Sequence, residues 1–165
     1  MTMIVTILLT LTMMLGLFLM LWSGVGFIQD KRFFSSAPKE VCAAVQPKPE
    51  RFHGMHALGW VLAALSLLLM GGALFLGAWN GIRNGFGFWQ FFFRFLIMLW
   101  GLEAYDILFF DFYLLCRSRF FPHYFPEVEQ LLGPHLFGYN WKSHLFAGLV
   151  IPAACLLLAR ICTLF

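Results

Sequence analysis

Apolar residues fall into four runs along the chain, and each run is long enough to cross a lipid bilayer. An α-helix rises about 1.5 Å per residue, so roughly 20 apolar residues span a hydrocarbon core of about 30 Å. The predicted spans cover residues 3–28, 57–79, 88–116 and 144–165. The pattern therefore predicts an all-α integral membrane protein with four transmembrane helices, formed by residues 1–165 as a single domain.

The first run raises a second interpretation, a secretory signal peptide. It lacks a positively charged start, exceeds the usual apolar length of a signal peptide, and ends in "SGVGFIQDKR" without a clear cleavage site. We therefore expect it to be a transmembrane helix.

The two longer connections each contain the pattern of a short helix. In the first, Pro38 lies in the opening turn and Pro47 ends the pattern; in the second, Pro126 opens the pattern and Gly133 precedes a proline that ends it. We expect two short interfacial helices that lie on the cytoplasmic membrane surface.

The basic residues indicate the orientation. Connections 29–56 and 117–143 carry most of them: Lys31, Arg32, Lys39, Lys48, Arg51, Arg117, Arg119 and Lys142. The opposite side offers only Arg83, Arg94 and Arg160. Because Lys and Arg accumulate in cytoplasmic loops, we expect a multi-pass protein of the cell membrane with both termini outside.

Composition supports lipid as the surrounding solvent. The chain is 61% hydrophobic and only 12% charged, whereas a soluble domain has about 25% charged residues. The net charge of +3 comes from scattered basic residues, so nucleic-acid binding is not supported. The four cysteines show no C-x-x-C spacing, and neither a zinc ribbon nor a disulfide framework is indicated. The lipid bilayer is the expected partner.

Small residues recur near the end of the second run. Gly77, Gly81 and Gly85 are spaced four apart and lie on one helical face. Such a face allows close approach of another helix. We expect it to pack against a neighbouring span of the same chain, and the alternative is a homodimer or another membrane partner.

Acidic residues in the third run require an explanation. Glu103 lies near the centre of the run, followed by Asp106 and Asp111. A carboxylate at the bilayer centre costs on the order of 3 kcal/mol. At about 100° per residue, Asp106 and Asp111 lie on opposite sides of Glu103, so the three cannot face one narrow seam. We expect at least one to be protonated or to share a cation.

All five histidines fall on the predicted cytoplasmic side, and four of them could converge with Asp111 on one polar pocket. Histidine and carboxylate together suit a divalent metal. The candidate metal ligands are His53, His56, Asp111 and His144. No H-E-x-x-H string is present, and interhelical hydrogen bonds and loop salt bridges are the simpler explanation. No other cofactor is indicated.

Three classes of function remain open. The first is a membrane-embedded enzyme on a lipidic substrate, with Asp106, Asp111 and His123 as candidate catalytic residues. The second is a proton- or cation-coupled carrier, or a subunit of one, in which Glu103 and Asp106 bind the ion. The third is a structural or accessory membrane protein. The enzyme is the preferred hypothesis.

Overall fold

The computed structural model describes residues 2–30, 37–132 and 140–165. Within these ranges every regular element is helical. The elements in chain order are α1 (Thr2–Trp22) continued by a first π-helix (Ser23–Ile28), α2 (Lys39–Ala44), α3 (Met55–Arg83), α4 (Phe88–Tyr105) continued by a second π-helix (Asp106–Leu115), α5 (Phe120–Tyr124), a 3₁₀ turn (Pro126–Val128) and α6 (Trp141–Cys162).

In the described part of the chain, three helical segments are long and apolar enough to cross a membrane: Met3–Ile28, Met55–Arg83 and Trp141–Cys162. These correspond to the first, second and fourth predicted spans. The helix predicted for the third run is present as α4 and its π-helical continuation. Its charged residues make it less apolar, and it is not among the helices whose length and composition suit a membrane span. The predicted number of four spans is therefore not confirmed.

Helix α4 occupies the centre of the fold. It packs against α1, α3 and α6, and its inward side chains Phe91, Phe95 and Met98 are at most 2% exposed. Successive long helices run in opposite directions. One end of the molecule, the turn end, therefore carries the turn at residues 84–87, and the other end, the loop end, carries the two longer connections.

The loop end has a small hydrophobic core of its own. Val25 of the first π-helix and Leu115 of the second pack with residues of both connections, including Val41, Phe125 and Val128. Lys48 joins the two connections by donating hydrogen bonds to the carbonyl oxygen of Tyr124 (2.7 Å) and to Glu127 Oε2 (3.2 Å).

The first predicted interfacial helix is present as α2, with Pro38 at its N-cap. The second differs from expectation. Pro126 opens only a 3₁₀ turn of three residues, and the short helix α5 precedes it. The predicted end at Gly133 lies outside the described residues. Both connections bury apolar side chains, Val41 and Phe121 among them, in the loop-end core, because the π-helix ends supply a surface to cover.

The first turn of α3 is held by a carboxylate. Gly54 adopts φ +82°, and the backbone N–H groups of Gly54 and His56 donate to Glu50 at 3.1 and 3.0 Å. These two backbone hydrogen bonds lower the pKa of Glu50 below its usual value. They satisfy helix N–H groups that have no intrahelical partner.

The glycines of α3 allow close helix packing at the turn end. Gly77 and Gly81 are buried, Gly77 against Met98 and Leu9 and Gly81 against the ring of Phe91. Gly85 lies beyond α3 with φ +63°, a conformation that favours glycine in the turn. A homodimer through these glycines stays a prediction.

Candidate functional site

A single histidine joins two of the three acids of the central helix. His144 Nδ1 lies 2.8 Å from Glu103 Oε1, and His144 Nε2 lies 2.8 Å from Asp111 Oδ2. His144 comes from the first turn of α6, Glu103 from the last turn of α4, and Asp111 from the second π-helix. The three side chains form a continuous carboxylate–imidazole–carboxylate bridge between two helices.

The second π-helix is what brings both acids to one ring. In a regular α-helix Asp111 would lie about 80° from Glu103. A π-helix closes its hydrogen bonds at i→i+5, so each residue turns through a smaller angle than in an α-helix. From Asp106 onward this deficit accumulates and carries Asp111 round towards the side of Glu103. The expectation that the acids could not share a seam assumed α-helical geometry throughout.

Aromatic stacking accompanies the π-helical segment on another side of the helix. The rings of Tyr105 and Phe109 stack at 5.1 Å, and those of Phe109 and Tyr113 stack at 5.7 Å. Tyr105 also meets Phe110, five residues on, in an edge-to-face contact at 5.3 Å. Contacts at both four and five residues fit the wider turn of a π-helix.

The bridge is shielded from solvent along most of its length. The side-chain exposure is 3% for Asp111, 10% for His144 and 20% for Glu103. Exposure therefore increases from Asp111 to Glu103. The group with the most freedom to meet another molecule is the Glu103 carboxyl.

The two hydrogen bonds of the His144 ring to carboxyl groups require one proton more than a neutral imidazole carries. A neutral imidazole has one N–H donor and one acceptor nitrogen. Both nitrogens of His144 face carboxyl oxygens at hydrogen-bond distance. Either the ring is an imidazolium between two carboxylates, or one carboxyl is protonated and donates to the ring. Moving protons along the bridge interconverts these states without moving a heavy atom far.

Asp106 adds a third carboxyl to one end of the bridge. Ligand atoms of Glu103, Asp106 and His144 all lie within 4.8 Å of one another, so these three groups could hold a metal ion. Asp111 would then accept from the other ring nitrogen, as the carboxylate partners of metal-bound histidines do. This donor set differs from the predicted one.

Two of the apolar grooves beside the site contain an acid in their lining. One, of about 440 Å³, is lined by Glu103 and Asp106 together with apolar side chains of α1, α4 and α6. The other, of about 530 Å³, is lined by Glu103 and His144 and by apolar residues that include Trp100 and Ile107. Glu103 therefore lines both grooves. Each groove offers an apolar wall with an acid at its base.

The remaining predicted site histidines lie in other surroundings. His56 Nδ1 is 3.7 Å from Glu50 Oε1 at the start of α3. His53 is exposed in the segment before α3, and His123 is exposed with its ring against Tyr124. Of the four predicted metal ligands, the structure brings together Asp111 and His144.

The predicted pocket contained His144 and Asp111 but not Glu103, because the histidines were grouped by their predicted membrane side. The sequence contains only part of the information that would predict the Glu103–His144 pair. His144 stands on the first turn of a membrane-capable helix, but its rotation toward α4 depends on helix packing.

No protein-family model, curated protein or solved structure matches this chain. The chain is a helical protein with membrane-capable helices and a partly buried acid–histidine cluster.

Proposed function

We propose that α4 and the second π-helix form a fourth span, so that residues 1–165 make a single four-helix membrane bundle with intramembrane carboxylates. The segment contains 18 α-helical and 10 π-helical residues, enough to cross a core of about 30 Å. It packs among α1, α3 and α6, each part of a membrane-capable helix. The basic residues of the longer connections support a cytoplasmic loop end with both termini outside.

Cysteine labelling tests this topology. In a variant without native cysteines, Asn84→Cys at the turn end should react with a membrane-impermeant maleimide on intact cells. Gln130→Cys at the loop end should react only after permeabilisation. Both positions are exposed in the fold. Labelling of both from the same side would refute α4 as a span, and labelling in the reverse order would invert the orientation.

We propose that the protein is a membrane-embedded enzyme that performs acid–base chemistry on a lipidic substrate. The observation that carries this proposal is the hydrogen-bonded Asp111–His144–Glu103 bridge ending in apolar grooves. Apolar grooves with a few convergent polar groups are the usual form of a small-molecule site. An apolar wall favours a substrate with hydrocarbon character, which would enter from the bilayer.

The residues differ in their proposed roles. Glu103 and Asp106 both line one groove and would touch the substrate there, one as acid and one as base. Two neighbouring carboxyls are suited to such a division because they do not both ionise readily. His144 and Asp111 act through Glu103, since the bridge supplies or removes its proton. The position of His123 against Tyr124 supports no role in this step.

Lipid turnover by the purified protein tests the proposal. The chain is reconstituted into nanodiscs made from the total lipid extract of its expression host, and lipids are followed over time by mass spectrometry. We expect one lipid class to be consumed and a product to appear. Because general acid–base catalysis contributes about 10²–10⁴-fold, Glu103→Gln and Asp106→Asn should each slow turnover by at least about 100-fold.

Glu40→Gln is the matched control, because it makes the same chemical change at an exposed residue of α2. It should retain the wild-type rate. An unchanged lipid composition with folded wild-type protein, or full turnover by the Glu103→Gln variant, would overturn the proposal. The first result would leave a carrier and a structural or accessory role as the remaining classes.

We infer a second candidate function, a cation-coupled carrier or a subunit of one, from the 4.8 Å cluster of Glu103, Asp106 and His144. Carboxylate and imidazole ligands suit Mn²⁺ or Zn²⁺. Metal analysis of the same nanodisc preparations distinguishes this candidate. A stoichiometric metal that is lost in Asp106→Asn, with no change in the lipids, would favour the carrier over the enzyme. Phe91, Phe95 and Met98 fill the helix interface towards the turn end with apolar side chains, which favours the enzyme.

A further inference from the structure

A second polar feature lies at the turn end, apart from the acid–histidine bridge. Arg94 of α4 is only 3% exposed. Its Nε donates to Thr6 Oγ1 at 3.2 Å, and its Nη1 donates to the carbonyl oxygen of Gly77 at 2.8 Å and to Asn80 Oδ1 at 3.1 Å. The guanidinium also lies 4.2 Å from the ring centroid of Phe86. Every one of these groups is electrically neutral.

The positive charge of Arg94 is therefore not balanced within the described part of the chain. No ion pair found there includes Arg94, and its Nη2 is buried without a hydrogen-bond partner. A buried charge without a counter-charge is costly, and buried polar groups normally have partners. The remaining donor and the unbalanced charge together call for an anion.

A groove of about 230 Å³ reaches Arg94 from the outside of the bundle. Its polar lining comes from Thr6, Gln90 and Arg94. Its apolar lining includes Met3, Phe93 and Ile97, whose exposed fractions are 59%, 56% and 38%. The groove thus combines a cationic, donor-rich interior with an apolar rim.

The rim identifies the occupant as an amphiphile. A free inorganic anion makes no favourable contact with exposed Met, Phe and Ile side chains, whereas an acyl chain can lie along them. A phosphate group offers several acceptor oxygens and pairs well with a guanidinium. Arg94 stands seven residues into α4, where α4 leaves the turn end, which places it at about headgroup depth or slightly deeper.

We propose that this groove is a binding site for an anionic phospholipid, whose phosphate pairs with Arg94 and whose acyl chains cover Met3, Phe93 and Ile97. The site is independent of the proposed lipid chemistry at Glu103. It is a fixed lipid site that joins α1, α3 and α4, because Arg94 of α4 already donates hydrogen bonds to residues of α1 and α3.

Thermal unfolding of the full chain in a neutral detergent tests the proposal. The probes are dioctanoyl phosphatidylglycerol, dioctanoyl phosphatidylcholine and inorganic phosphate at matched concentrations. A ligand that binds the folded state raises the unfolding midpoint with concentration. We expect a saturable rise with phosphatidylglycerol and little or none with the other two. An equal rise with inorganic phosphate would overturn the lipid assignment, and an equal rise with phosphatidylcholine would overturn anion recognition.

Two variants locate the site. Arg94→Gln should raise the phosphatidylglycerol concentration needed for half of the midpoint rise by roughly tenfold or more. This is the loss of affinity expected when a charge-assisted hydrogen bond is removed. Ile97→Trp fills the rim and leaves the hydrogen bonds of Arg94 in place, so it keeps the test decisive if Arg94→Gln fails to fold. The Ile97→Trp protein should remain folded and respond more weakly to phosphatidylglycerol.

Arg83→Gln is the matched control, since Arg83 is exposed in the last turn of α3 at the same end of the molecule. It should respond to phosphatidylglycerol as the wild type does. A wild-type response from the Ile97→Trp variant, or an equal loss in Arg83→Gln, would overturn the site. Neither result bears on lipid turnover at Glu103, so the two proposals fail separately.

Discussion

Replacement of His144 by leucine is expected to destabilise the protein by about 3–5 kcal/mol, the cost of removing one partner from a buried charged pair. The side chain of Asp111 is 3% exposed and would lose its bond to His144 Nε2, while Glu103 would lose its bond to Nδ1. Leucine has similar bulk but no hydrogen-bonding group. Equilibrium unfolding in mixed micelles, followed by tryptophan fluorescence, measures the effect.

His53→Leu is the matched control for this substitution. His53 is exposed, so we expect a change within about 0.5 kcal/mol, as for most surface substitutions. The double variant Asp111→Leu/His144→Leu should recover part of the lost stability, because it leaves no carboxylate stranded at that position. Equal stability of His144→Leu and wild type would show that the bridge is not made in the folded protein.

Substitution of Gly81 by alanine is expected to destabilise the protein by about 1–3 kcal/mol through overpacking. A Cβ atom at Gly81 would lie 2.8 Å from Cζ of Phe91, which is closer than packed carbon atoms approach. The ring of Phe91 is 1% exposed and is held between Phe86 and Phe95, at centroid distances of 5.5 and 6.2 Å. It therefore has little room to move, and α3 and α4 must separate.

Gly71→Ala makes the same change in the same helix at an exposed position, with no atom within 4 Å of the added methyl. Since alanine favours a helix over glycine by about 0.5–1 kcal/mol, this control should be neutral or stabilising. Gly81→Ala is thus expected to lower the free energy of unfolding, whereas Gly71→Ala should leave it unchanged or raise it. Equal unfolding midpoints for Gly81→Ala and Gly71→Ala would contradict the close packing of α3 on α4.

The long helices were predictable because their positions depend on local composition. The apolar runs at residues 3–28, 57–79 and 144–165 correspond to helices found at Met3–Ile28, Met55–Arg83 and Trp141–Cys162. Differences at the ends amount to a few residues, as at Arg83, where an exposed charged residue still extends the helix. Helix ends depend on turns and caps as much as on hydropathy.

The connections were less predictable, because their structure depends on what they cover. Val41 and Val45 are buried in the loop-end core with Phe121. Their apolar pattern predicted a helix but not its partner. The partner is formed by the ends of two π-helices, which the apolar pattern does not distinguish from α-helix.

Residue order alone indicates that this chain is helical and apolar, and that Glu103, Asp106 and Asp111 need partners, because burial of a carboxylate is costly wherever the helix lies. Which groups become those partners depends on the tertiary structure. The π-helix turns Asp111 towards the side of Glu103, and the packing of α6 on α4 places His144 between them. Hydrogen bonds depend on angles and distances of a fraction of an ångström, and these arise from helix packing rather than from residue order.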